Sequence, residues 1–314
     1  MHQNPLLIIL GATASGKTRL AIEIAKTLNG EIISADSRQV FRGMDIGTGK
    51  DLEDFHVANV PFHLIDIKEA GERYHVNSFK EDFYKAFQTI NFKQKLPILC
   101  GGTGMYIHSI LQNYELTAVP VNDELRNGLL GLGKLELVDK LNTYSTDLHS
   151  HVDFSSSKRL IRAIEVAEYL SSNLLVAKER PLIDSLVVGL VDDLDTRKSK
   201  IDERLIKRLD NGLIKEVEQL IANGVSADML TFYGLEYKFV VSYLKGEIDY
   251  STLKERLAIA IHQFAKRQMT FFRKMEKDGV KINWLKASVP LPELTDDVLR
   301  LISRQFELSG LQQK

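Results

Sequence analysis

Three features of this 314-residue sequence predict an α/β fold built on a parallel sheet. A phosphate-loop octapeptide follows an apolar run, short β-rich segments alternate with helix-period segments through the first hundred residues, and helical pattern dominates after residue 192. The octapeptide consists of Gly11, Ala12, Thr13, Ala14, Ser15, Gly16, Lys17 and Thr18. In such a loop the backbone N–H groups cradle a phosphate chain, the lysine supplies positive charge, and the hydroxyl of Thr18 joins a magnesium shell. Residues 6–10 read as the strand that must precede it, and Leu20, Ile24, Ala25 and Leu28 mark the helix that must follow.

The remaining elements follow in order. Residues 31–34, 63–67 and 96–100 read as further strands, and residues 17–28 and 78–91 as helices, the second with Phe79, Phe83, Ala86, Phe87 and Ile90 on one face. Residues 122–172 then lack β-branched clusters and carry helix-period patterns such as Leu160, Ile164, Ala167 and Leu170. A strand-like run returns at 186–191, so the helical interlude reads as an insertion into the sheet domain. Beyond Asp192 the pattern is helical almost to Trp284, through 201–211, 213–223 and 253–277, with Gly212, Gly224 and Gly279 as helix stops. The predicted architecture is a P-loop nucleotide-kinase-like parallel sheet with a helical insertion domain and a helical C-terminal region. Residues 1–121 form the first part of the core, 122–185 the insertion, and 186–314 the return strand and C-terminal helices. No internal repeat or low-complexity tract interrupts this plan, and the polar tail beyond Leu308 is expected to fray.

A formal net charge of −1 excludes a protein that coats nucleic acid through bulk charge, while leaving room for a local basic face. The one cysteine, Cys100, cannot form an intramolecular disulfide and reads as a core residue of a reduced protein. No secretory leader and no bilayer-spanning apolar stretch are evident, so a cytoplasmic protein without membrane association is expected.

Three constellations accompany the phosphate loop. Residues 34–40, Ser-Ala-Asp-Ser-Arg-Gln-Val, place Asp36 at the carboxyl end of a parallel strand, where ligands bind in open α/β sheets. Asp36 there helps to hold magnesium or accepts a proton; the plain alternative is a helix N-cap. Residues 43–50, Gly-Met-Asp-Ile-Gly-Thr-Gly-Lys, read as a loop and nothing more. Residues 100–106, Cys-Gly-Gly-Thr-Gly-Met-Tyr, bring a second set of N–H groups and the Thr103 hydroxyl to the same crevice, unless they form an ordinary turn. Near the carboxyl end, Leu253, Leu257, Ile261, Phe264, Phe271 and Met275 form an apolar stripe. It leaves His262, Lys266, Arg273 and Lys277, with Arg267 and Lys274 beside them, as a basic face that is either solvated or bound to phosphates.

Taken in order, the phosphate loop, residues 33–48, Phe62-His-Leu-Ile-Asp66 and Gly101-Gly-Thr103 resemble the bacterial tRNA dimethylallyltransferases. The resemblance continues through Arg159-Leu-Ile-Arg-Ala-Ile-Glu165, Gly212-Leu-Ile-Lys-Glu-Val217, Ser242-Tyr-Leu-Lys-Gly-Glu247 and Gln263-Phe-Ala-Lys-Arg-Gln-Met-Thr270. It implies a magnesium-dependent transfer of a dimethylallyl group from dimethylallyl diphosphate to N6 of adenosine 37 beside the tRNA anticodon. On this reading Gly11 through Thr18 hold the diphosphate, Thr18 the Mg2+ ion, and Lys17, Asp36 and Thr103 are catalytic. Asp36 is the general base, because the poorly nucleophilic exocyclic amine must lose a proton as it attacks. The implied tRNA contacts are Asp36, Ser37, Arg38, Gln39, Thr103, Arg126, Lys158, Arg159, Arg162, Gln263, Lys266 and Arg267. Arg159 and Arg162 have Glu165 and Glu168 as alternative partners on their own helix. The implied partners are the anticodon stem-loop and dimethylallyl diphosphate, with the protein a monomer.

Where the family carries Gly-Tyr and then Lys or Arg, this chain has Gly234-Leu-Glu-Tyr237. The family's His-x-Asn-Asp is replaced by Asp153-Phe-Ser-Ser-Ser157, its Ala-Lys-Pro by Gly49-Lys50-Asp51, and its Trp by Phe271. These departures are expected mostly at tRNA-facing positions. Two rivals share the phosphate loop: an adenylate isopentenyltransferase acting on AMP, ADP or ATP, and a small-molecule kinase in which Asp36 activates a hydroxyl. Gly101-Gly-Thr103 and Lys266-Arg-Gln268 argue against both.

Overall fold

The computed structural model describes residues 4–148, 152, 154–176 and 178–306, which fall into two compact units. The larger comprises residues 1–112 and 181–314, the smaller 113–180. The larger unit begins with β1 (Pro5–Gly11), α1 (Lys17–Leu28), β2 (Glu31–Ser34), α2 (Leu52–Val57), β3 (Phe62–His63), α3 (Val76–Phe92), β4 (Pro97–Gly101) and α4 (Gly104–Leu111). The smaller contains α5 (Asp123–Leu129), α6 (Lys134–Leu141) and α7 (Ser157–Ser172). The chain then returns through β5 (Asp184–Val191), α8 (Leu194–Asp210), α9 (Leu213–Ala222), α10 (Ala227–Tyr233), α11 (Leu235–Leu244), α12 (Tyr250–Lys277), β6 (Ile282–Lys286) and α13 (Leu291–Phe306).

The six strands pair in parallel in the order β3-β2-β4-β1-β5-β6. β1 is apolar throughout because both faces of the sheet are covered. Its alternate residues separate accordingly: Leu6, Ile8 and Leu10 join a core with α3, α4 and α8 to α12, while Leu7 and Ile9 join one with α1 and α13. The chain leaves β1 toward one face as α1 and leaves the adjacent β4 toward the other as α4. That reversal opens a crevice at the carboxyl ends of these two strands, where ligands bind in doubly wound sheets.

The smaller unit has its own core, in which Leu129, Leu137 and Leu141 pack on Leu160, Ile161, Ile164 and Ala167 of α7. Leu170, expected in that stripe, is half-buried.

Several elements differ from the sequence-based expectation. β3 ends at His63, because Leu64 and Asp66 adopt positive φ (61° and 55°) and break the extended run predicted to continue to 67. The segment around Trp284, expected to close a helical stretch, is the edge strand β6 beside β5. A further helix follows it: α13 buries Leu294, Val298, Ile302 and Phe306, an i, i+4 series present in the sequence but not singled out. In α12 the buried stripe ends in Met269, Phe272 and Met275, leaving Phe264 and Phe271 half-buried. Gly212, Gly224 and Gly279 all adopt the positive φ expected of helix stops. Among the described residues no helix is long and apolar enough to cross a membrane. Asp153 and the tail beyond Leu308 lie outside the described residues.

Candidate active site

The phosphate loop spans the turn from β1 into α1. Ala14 and Gly16 hold the left-handed conformation that aims successive N–H groups into one concavity. Lys17 reaches back to the Ala12 carbonyl at 3.4 Å. Burial lowers its pKa against the pull of Asp36 and Asp51, so an arriving anion would relieve a desolvated cation. The Ser15 hydroxyl is buried without a hydrogen-bond partner, a donor left over for a ligand.

One narrow cavity brings part of the predicted set together, without Thr103 or Ser37 in its lining. Thr13, Lys17 and Thr18 line it with Asp36, Arg38, Gln39, Thr48, Gly49, Cys100, Gly101, Arg204, Arg208, Phe264 and Gln268. Asp36 does not cap a helix. Its Oδ1 accepts the Arg38 N–H at 2.9 Å, and the next helix begins only at Leu52. The Ser37 N–H donates to the Thr103 hydroxyl at 3.1 Å, and the Thr103 N–H donates to the Ala35 carbonyl at the same distance. Gln39 donates to the Gly49 carbonyl and accepts from the Ser34 hydroxyl. Burial pushes the Cys100 thiol up to about 12, so it stays protonated in the wall of the cavity.

The turn at 101–104 is more than a link between elements. A Cβ at Gly101 would lie 2.3 Å from the Ala35 carbonyl oxygen, and one at Gly102 would lie 2.4 Å from the Gln268 amide nitrogen. Gln268 accepts the Thr13 N–H at 2.9 Å and donates to the Gly102 carbonyl at 2.8 Å. A single buried amide of α12 thus ties the phosphate loop to the turn that carries Thr103.

The loop at 43–50 proves to be a wall of the site. Glu216 of α9 accepts the N–H groups of Asp45, Ile46 and Gly47 at 2.8, 2.6 and 3.0 Å, and the Tyr237 hydroxyl at 2.8 Å. Fully buried Lys50 pairs with Asp45 and Asp66 and donates to the Phe41 carbonyl. The carbonyls of Gly47 and Gly49 then face Arg208 and Arg204 of α8 at 3.3 and 3.4 Å. Gly49 suits this place, since its φ of 61° is left-handed and a Cβ would meet the Arg208 and Arg204 guanidinium groups at 2.1 and 2.3 Å.

Arg204 and Arg208 escaped the sequence-based site. Their i, i+4 spacing is legible on a predicted helix, but nothing local shows that they face the phosphate loop. Burial, with Arg204 beside it, lowers the Arg208 pKa to about 10, so the pair forms a crowded cationic wall. Glu236 also escaped. Its carboxylate holds Arg38 at 2.7 Å and Arg208 at 3.2 Å, and the Arg38 guanidinium lies 5.4 Å over the ring of Phe264. The departures at Gly49 and Glu236, expected to face tRNA, therefore line the arginine cluster of the cavity.

Gln263, Lys266 and Arg267 are exposed on α12, whereas His262 pairs with Asp202 of α8 at 2.8 Å. Arg126, Lys158, Arg159 and Arg162 lie in the smaller unit. There Arg126 and Arg162 converge on buried Glu165 at 2.7 and 3.2 Å, and Arg162 also donates to the Val119 carbonyl. Exposed Arg159 donates to the Ser155 hydroxyl, and Lys158 is exposed.

A parallel sheet with a phosphate loop at its crevice, faced by half-buried arginines and a carboxylate, defines a P-loop α/β protein with a candidate anion-binding site and an adjacent candidate base. The profile of the IPP transferase family matches residues 39–275, and that of isopentenyl transferase matches residues 4–58. A tRNA dimethylallyltransferase of Porphyromonas gingivalis is 50% identical over 298 residues, covering 94% of this chain and 98% of the relative. The crystal structure of the full-length tRNA isopentenylpyrophosphate transferase of Bacillus halodurans aligns with a TM-score of 0.73 and 30% identity, covering 97% of each chain. A eukaryotic dimethylallyltransferase acting on tRNA shares the fold at 21% identity, with a TM-score of 0.78 over 99% of this chain and 81% of that one. This chain belongs to the IPP transferase family.

Proposed function

We infer that this protein is a tRNA dimethylallyltransferase. It transfers the dimethylallyl group of dimethylallyl diphosphate to N6 of adenosine 37 in the anticodon stem-loop and releases pyrophosphate. The observation that carries this reading is the pairing, in one cavity, of Asp36 with the phosphate loop and the Arg204–Arg208 wall. The reading is of a monomer acting in the cytoplasm.

The chemistry follows from the placement of charge. As the allylic C–O bond breaks, its electron pair passes to the pyrophosphate oxygen. Lys17, the phosphate-loop N–H groups, the spare Ser15 hydroxyl and the two arginines are arranged to stabilise the charge that develops there. The N6 lone pair forms the new C–N bond, and the N6 proton goes to the Asp36 carboxylate. The Thr103 oxygen already accepts from Ser37, so its hydrogen remains to orient the adenine.

No cluster of three or more His, Cys, Asp or Glu side chains able to hold a metal occurs among the described residues, which fits an ion carried by substrate phosphates. The Thr18 hydroxyl would hold such a Mg2+ ion, which would supply further neutralisation of the leaving group. A target base must leave its stack to reach a closed site, and exposed Gln263, Lys266 and Arg267 on α12 are suited to hold the RNA backbone meanwhile. Lys158 and Arg159 are assigned the same task, as are Arg126 and Arg162 through whatever donor capacity Glu165 leaves. Ser37, Arg38 and Gln39 are assigned to the extruded nucleotide.

The test supplies labelled dimethylallyl diphosphate and magnesium with tRNA, AMP or ATP in separate reactions. Label in tRNA alone is expected. Label in free nucleotide would favour the adenylate enzyme, and ATP hydrolysis without prenyl transfer a kinase.

A further inference from the structure

The structure gives Glu236 a place that an exposed acid would not have. Glu236 is buried at the start of α11, with one carboxylate oxygen on each of two arginines. Oε2 holds Arg38, which follows the candidate base by two residues. Oε1 holds Arg208, one of the arginines that face the phosphate loop. We propose that Glu236 is a positioning residue for prenyl transfer, acting through both arginines at once. It keeps Arg38 off the Asp36 carboxylate and keeps Arg208 aimed at the leaving pyrophosphate. The proposal rests on the reading of the cavity as a prenyl-transfer site.

The geometry states what the carboxylate prevents. Arg38 Nε lies 3.9 Å from Asp36 Oδ1, while its terminal nitrogen is 2.7 Å from Glu236. Without Glu236 the buried guanidinium has Asp36 as its next carboxylate, and a full ion pair there would occupy the lone pair that must receive the amine proton. Other cations at the cavity are restrained elsewhere. Lys17 bonds the Ala12 carbonyl, and Arg204 bonds the Gly49 carbonyl and faces Asp51 at 3.6 Å. The position of Gly234 fits the same purpose, since a Cβ there would lie 3.2 Å from the Arg38 guanidinium, at a φ of 142°.

The test compares single-turnover dimethylallyl transfer at saturating donor and tRNA in wild type, Glu236→Gln and Glu236→Gln with Arg38→Gln. Glu236→Gln is expected to slow the chemical step by about 10²-fold, the scale of a small misplacement at a reacting centre, with tRNA affinity nearly unchanged. Read at saturating tRNA, where the nucleotide contact assigned to Arg38 changes occupancy and not rate, the double variant, lacking the guanidinium that would close on Asp36, is expected to be faster than Glu236→Gln alone. A purely structural Glu236 would make the second substitution neutral or harmful, and that result, like a wild-type rate in Glu236→Gln, overturns the proposal. Should Glu236→Gln fail to fold, Glu236→Asp is read in its place. Its shortened carboxylate cannot span both arginines, so transfer must slow and recover on Arg38→Gln; failure to do so is equally fatal. Wild-type enzyme that leaves tRNA unlabelled removes the prenyl-transfer reading itself, whereas labelled tRNA with an indifferent Glu236 removes only this role.

Discussion

The side chain of Gln268 accepts the N–H of Thr13 at 2.9 Å, across 255 residues of sequence. The same amide donates to Gly102, so the helix whose outer face is assigned to RNA also fixes the inner edge of the phosphate loop. On the proposed reading, one residue holds the donor and acceptor halves of the reaction in register.

Replacing it with a side chain of similar size that cannot hydrogen-bond strands two polar groups in the interior. Gln268→Leu is expected to cost about 1–3 kcal/mol for each stranded group and to lower turnover more than tenfold. Thermal melting read beside the transfer rate checks both effects. Unchanged turnover in a folded variant would show that the clamp has no part in catalysis.

Asp36→Asn keeps the acceptor for the Arg38 N–H but removes the proton acceptor. It is expected to lower the single-turnover rate by about 10²–10⁴-fold, the usual worth of a positioned base, with tRNA affinity nearly unchanged. A wild-type chemical step would place the base elsewhere.

What the sequence revealed was what lies close together along it. The phosphate loop, Asp36 and the Gly101–Thr103 turn each announce themselves within a few residues of a strand end, and the structure brings Thr13, Lys17, Thr18, Asp36 and Gly101 to one cavity, with Thr103 bonded to Ser37. Arg204, Arg208 and Glu236 are ordinary charged helix residues until the fold brings them beside Arg38 and Gly49. Their meaning is tertiary, and no local period encodes it. The loop at 43–50 was opaque for the same reason, because its order comes from Glu216 on a distant helix. β6 was missed because five residues between a glycine stop and a helix carry little period of their own.

If exposed Lys266 and Arg267 neutralise phosphates of the RNA, changing both to alanine should weaken tRNA binding and reduce its salt slope by about 2. Affinity for dimethylallyl diphosphate should stay put, since the anion is assigned to the other end of the cavity. Filter binding across a salt series checks this, and an unaltered slope would return these residues to plain solvated surface.

The opposite end of the sheet gives a pH dependence unrelated to catalysis. At the start of β2, buried Glu31 meets Lys95, His63 and Lys93 at 2.9, 2.8 and 3.2 Å. Burial pushes its pKa up, but the hydrogen bonds from Lys95, His63 and Lys93 outweigh it and bring the carboxyl down to about 2. A depressed folded-state pKa means that the unfolded chain binds the proton first. The contribution is therefore complete above the ordinary carboxylate range near 4.5 and is lost as pH falls toward about 2. Glu31→Gln should lower the melting temperature at neutral pH and flatten its fall on acidification. Parallel melting curves for variant and wild type across that range would refute the assignment.

The central claim is tested most directly by the fate of adenosine 37. An anticodon stem-loop carrying that adenosine, and one with guanosine in its place, are incubated with the enzyme, magnesium and dimethylallyl diphosphate, then digested to nucleosides and analysed by mass spectrometry. The account predicts N6-dimethyallyladenosine from the first RNA and none from the second. The same product from both, or prenylated AMP in a parallel reaction and none in RNA, would contradict it.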